Sequence, residues 1–87
     1  MASLTVLVTR EMWSDVFTLH IPKLDGTVHT EDLDVDETNE WFRVHGANMI
    51  VVEKFLDHVW NFLKGTLTIE NYKEPKVKNM ALDPKID

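Results

Sequence analysis

The chain has no cysteine among its 87 residues. That single absence removes disulfides, zinc ribbons and thiol nucleophiles, and argues against a secreted, disulfide-stapled mini-protein. Serine is nearly missing too. Ser3 and Ser14 are the only two, and neither lies in a G-x-S-x-G sequence, so nucleophilic catalysis through serine or cysteine is not expected. The three glycines, Gly26, Gly46 and Gly65, are far apart, whereas phosphate-cradling loops cluster glycines so that backbone N–H groups can approach the anion. No stretch reaches the roughly 18 apolar residues of a membrane span. The run from Leu4 to Val8 lacks the basic start and small-residue cleavage site of a secretion signal, so a cytoplasmic protein is expected.

What is present fits a small folded domain. Hydrophobic residues make up 44% of the chain and include three tryptophans, too apolar a composition for a disordered segment. A chain of this length buries only about 60% of the surface its unfolded form exposes, which leaves little room for a deep cleft beside its core. Function is therefore expected on an exposed face, and an enzyme is not. Residues 1–72 carry the periodic patterns and are expected to form one domain; residues 73–87 are polar and proline-punctuated and read as a loosely ordered tail.

Within that domain the patterns predict an α+β fold in β-β-β-α-α-β order, a small, mostly antiparallel sheet packed on one long helix and one short helix. Residues 3–9 alternate Leu4, Val6 and Val8 with Thr5, Leu7 and Thr9 and predict a first strand. Residues 16–24 predict a second, placed at an edge because Pro22 cannot donate to a ladder. Asp25 and Gly26 match a two-residue type I′ turn, which would set Leu24 opposite Thr27 and His20 opposite Glu31. The stretch 31–35 alternates acids with Leu33 and Val35 and extends the returning strand, with Asp36 capping a short helix over 37–45 that Gly46 stops, although Trp41, Phe42 and Val44 would suit a strand equally well. Asn48 then caps a long helix over 49–64, ended by Gly65. Its apolar arc holds Val52, Phe55, Leu56, Val59 and Leu63, widened by Met49, Val51, Trp60 and Phe62 to about half the circumference. Residues 66–72 alternate again and predict a last strand.

The run from Asp32 begins like a calcium loop, but the sixth and twelfth positions, which need Gly and Glu, hold Glu37 and Arg43. The four histidines show no i, i+4 spacing on a helix. The short helix, turn and long helix resemble helix-turn-helix spacing in outline only, because the second helix starts Met49-Ile50-Val51-Val52 and offers no side chain for base or phosphate. No catalytic group, metal ligand or cofactor site is expected, nor direct contact with nucleic acid or membrane.

Charge is the informative feature. The net charge of −6 arises almost wholly between residues 24 and 40, which contain Asp25, Glu31, Asp32, Asp34, Asp36, Glu37 and Glu40 and no base. If Asp32, Asp34 and Asp36 share one strand face, they form a row of anions about 6.6 Å apart; with Glu31, Glu37, Glu40 and Asp25 flanking it, the charge density is of the order found along a nucleic-acid strand. These seven acids, with Trp41 as apolar anchor, are the expected partner-binding residues. The partner is expected to be a basic protein, of the kind that binds nucleic acid, which the chain inhibits or modulates by standing in for nucleic acid. The alternative is an adaptor or homodimer built on the wide apolar face of the long helix, with Val51, Trp60 and Phe62 at the contact.

Overall fold

The computed structural model describes residues 2–72. The alternating first segment forms β1 (Leu4–Arg10), followed by β2 (Phe17–Pro22) and β3 (Val28–Leu33). Two helices come next, α1 (Val35–Val44) and α2 (Met49–Phe62), before β4 (Lys64–Ile69) closes the fold. The strands make one antiparallel sheet in the order β3-β2-β1-β4. Both helices lie on one face of it. The expected α+β class and element order are therefore those of the protein, and the tail expected over 73–87 lies outside the described residues.

Period-two patterning decides which face is covered. Val6 and Val8 from β1, Phe17 and Leu19 from β2 and Ile69 from β4 point to the helices and meet Phe42, Val52, Phe55, Leu56 and Val59 in one buried core. Each such side chain contributes about 1.5–3 kcal/mol by leaving water. Among the described residues no helix lies over the opposite face, which is rich in threonine. There Thr5 and Thr68 share a hydrogen bond of 2.8 Å, and Thr18 donates to Asp32 at 2.7 Å.

Four expectations about the elements need correction. β2 is an interior strand, flanked by β3 and β1. Pro22 is tolerated because β1 pairs with β2 only as far as His20, so no ladder bond is lost at the strand's end. The hairpin is not type I′. Only Gly26 takes positive φ (91°); its N–H donates to the Lys23 carbonyl, and the Lys23 N–H donates to the Thr27 carbonyl, which is a type I turn closed by a glycine bulge. The extra residue moves the register by one, so His20 faces Thr30 and Glu31 faces Leu19. Such a slip exchanges the two faces of β3.

The third correction lies where β3 meets α1. The strand stops at Leu33, and the cap is Asp34 instead of Asp36: the Asp34 carboxylate accepts from the Glu37 N–H at 2.8 Å while Glu37 accepts from the Asp34 N–H at 3.0 Å. This reciprocal capping box satisfies two otherwise unpaired donors. Thr38 is fully buried but donates to the Asp34 carbonyl at 2.7 Å, so its burial leaves no polar group unpaired.

The fourth concerns the end of α2. The helix stops at Phe62, and Leu63 in the left-handed conformation (φ 73°) turns the chain into β4. Gly65 is needed for another purpose, since a Cβ there would sit 3.0 Å from Phe55 and 3.3 Å from both His58 and Val59. Arg10 fastens this corner. Its guanidinium donates to the carbonyls of Trp60 (2.9 Å), Ser14 (3.0 Å) and Met12 (3.2 Å) and lies 3.8 Å from the centroid of the Trp60 ring. A cation at a helix C-terminus also complements the helix dipole.

Candidate protein-binding groove

The eight residues singled out in the sequence do not form one row. Asp25 sits at the hairpin tip, where its carboxylate accepts from the Thr27 hydroxyl at 2.6 Å and the Thr27 N–H at 3.0 Å. These bonds hold its pKa below the ordinary carboxylate value. Asp32 lies on the open face of the sheet with Thr18. Asp34 is occupied as the helix cap. The proposed strand of Asp32, Asp34 and Asp36 is thus divided among a strand, a cap and the first helical turn, and the regular 6.6 Å spacing expected of it is absent.

Five of the eight come together elsewhere. A groove of about 410 Å³ runs between β3 and α1, floored by Leu33, Trp41 and Val44 and rimmed by Glu31, Asp36, Glu37 and Glu40. The connection explains the placement: β3 passes into α1 through Asp34 alone, so the helix begins beside the strand it leaves. Residues 36, 37, 40, 41 and 44 recur at the three- and four-residue spacing that shares a helix side.

The rim differs residue by residue. Glu40 accepts a two-pronged contact from Arg43, one prong at 3.0 Å, which lowers its pKa and raises that of Arg43. Glu31 pairs with His29 at 3.1 Å, with both side chains well exposed. Glu37 keeps one oxygen on the Asp34 N–H, and Asp36 is exposed in the first turn. Carboxylates in this setting gain from the positive end of the α1 dipole while repelling one another.

Trp41 is held in place on the floor. Its ring packs edge-on against the buried Phe42 (centroids 5.2 Å, 86°) and stacks on His45 (3.8 Å, 21°), which in turn stacks on Tyr72 (5.8 Å, 8°). The His45 ring nitrogen lies 2.7 Å from the Trp41 carbonyl. An anchored aromatic beside a rim of carboxylates suits a lysine or arginine side chain, whose stem buries on apolar surface while its charge meets the rim.

Sequence reasoning missed Leu33 and Val44 as groove residues, because both look like ordinary core positions until strand and helix are juxtaposed. It also missed the loop 11–16, where Trp13 is 93% exposed beside an exposed Met12. A larger cavity of about 680 Å³ flanks α1 between Val35, Asn39, Leu56 and Trp60, but it holds none of the eight residues and its charges, Glu53, Lys54 and Asp57, are mixed. On α2, Trp60 is engaged by Arg10 and by Phe17 (centroids 6.1 Å). Val51 and Phe62 are exposed and stand about 16.5 Å apart along the axis at 1.5 Å per residue.

Among the described residues no three His, Asp or Glu side chains converge as metal ligands, and no helix is long and apolar enough to cross a membrane. Comparison with protein-family models, curated proteins and solved structures finds no match to this chain.

Proposed function

We propose that the protein is a non-enzymatic binding protein that inhibits or modulates a basic partner by docking its acidic groove on the partner's cationic surface, in the place nucleic acid would take. The observation that carries this reading is the gathering of Glu31, Asp36, Glu37 and Glu40 around the apolar floor of Leu33, Trp41 and Val44. Charge steers a cationic partner to the site, and the floor supplies the desolvated contact that rim charges alone lack. The partner class follows from the same chemistry, since nucleic-acid-binding faces concentrate lysine and arginine around phosphate positions. The hairpin-tip Asp25 and the open-face Asp32 extend the negative field beyond the groove.

The test uses the neutral isosteres Glu31→Gln, Asp36→Asn, Glu37→Gln and Glu40→Gln, combined in one variant, with oligolysine as the probe. Four rim contacts at about 0.2–1 kcal/mol each sum to about 1–4 kcal/mol, so affinity should fall at least several-fold. Binding to the unaltered chain should weaken as salt rises. Salt-independent binding, or equal binding to the variant, refutes the reading.

A further inference from the structure

The groove borders the free edge of the sheet. β3 is terminal in the strand order, and among the described residues no strand pairs with its outer side. The hydrogen-bond pattern shows which backbone groups that edge offers. Lys23 and Thr27 are a bonded pair, and in an antiparallel ladder bonded and non-bonded pairs alternate. Pairs 21–29, 19–31 and 17–33 are therefore bonded, and the N–H and C=O groups of Val28, Thr30 and Asp32 point away from β2.

We propose that β3 accepts an extended lysine- or arginine-bearing segment of a partner protein as a fifth strand. This rests on the charge-docking reading above and specifies how the partner is held. Backbone bonds to Val28, Thr30 and Asp32 supply the grip, and alternate side chains of the added strand fall on opposite faces. Those on the helix side meet Glu31 and the Trp41 floor; those on the open side meet Asp32. Acids stand on both faces of this edge, so a basic segment is matched whichever way its alternation falls. A second copy of the chain would set the same acidic field against itself, which disfavours self-pairing.

The experiment follows backbone hydrogen exchange in the full chain with two probes: a hexapeptide alternating lysine and valine, and the same peptide N-methylated at the amides that face β3. The three backbone bonds that methylation removes should make the unmethylated peptide at least about tenfold tighter. It alone should slow exchange at Val28, Thr30 and Asp32. Equal binding of the two peptides overturns strand addition while leaving charge docking intact. Slowed exchange that survives in the four-site neutral variant keeps strand addition and refutes the charge reading. Binding of neither peptide refutes both, and a dimer through β3 in sedimentation overturns the choice of occupant.

Discussion

Replacing Asp34 separates its role in the fold from its charge. In Asp34→Ala the carboxylate that accepts from the Glu37 N–H at 2.8 Å is gone, and the capping box loses one of its two bonds. Loss of an N-cap acceptor costs about 1 kcal/mol, with a range of about 0.5–2. For a domain of this size that lowers Tm by about 4–8 °C. In urea, with a slope of about 1–1.5 kcal/mol/M, the midpoint falls by about 0.7–1 M. Asp34→Asn keeps an acceptor of equal capping quality. It gives up only the charge–dipole attraction, about 0.3–1 kcal/mol at low salt, and gains by removing repulsion from Asp36 and Glu37. Asparagine should therefore melt within about 2 °C of the unaltered chain, and added salt should erase the difference. The assay is thermal and urea unfolding followed by tryptophan fluorescence. If Asn and Ala destabilise equally, or Ala costs nothing, the assignment of Asp34 as a cap is wrong.

Further consequences can be measured in the same way. Phe42→Ala empties a fully buried site between Trp41 and Phe55 and should cost about 3–5 kcal/mol, enough to leave much of the protein unfolded in a urea melt. Gly65→Ala pushes a methyl toward Phe55 and should destabilise by about 1–3 kcal/mol even though alanine usually favours folding over glycine; a stabilised variant would contradict the close approach. Asp25 has its pKa lowered by Thr27, so its contribution to stability is present above the unfolded carboxylate value and is lost as pH falls through the folded one. Thr27→Val removes the hydroxyl donor, and the Asp25 carboxyl resonance should then titrate at higher pH in an NMR series.

The legible parts of the fold were those where local and tertiary signals agree. Val6 and Val8 alternate cleanly, Asn48 precedes the apolar stripe of Val52, Phe55, Leu56 and Val59, and Gly46 follows the short helix at positive φ. Ambiguity arose where one residue satisfies two rules. The Asp32-Leu33-Asp34-Val35-Asp36 run reads as a strand by period two, yet Asp34 and Glu37 also stand at capping-box spacing, and the box prevailed because it satisfies two helix donors. Asp25-Gly26 fits both a two-residue turn and a three-residue turn with a bulge, and the one-residue difference exchanges the faces on which Glu31 and Asp32 lie. At the end of α2 glycine was the obvious stop, but packing against Phe55 claims Gly65 and leaves Leu63 in the left-handed region.

The acidic site was legible as composition and illegible as shape. Seven acids between 24 and 40 were plain in the sequence, but which of them face one another depends on the turn geometry and on where β3 becomes α1. The structure replaces a linear row with a rimmed groove, which shifts the expected contact from long-range charge matching toward individual lysine or arginine side chains seated on Trp41.

The most direct measurement is an NMR titration of the isotope-labelled chain with oligolysine at low and high salt. The largest shifts should fall on the Trp41 indole and on the amides of Glu31, Leu33, Glu37 and Val44, and should fade as salt rises. Shifts centred instead on the Asp25 hairpin tip, on Trp13 or on the cavity beside Glu53 and Asp57, or shifts spread evenly over all the acids, would contradict docking in the groove.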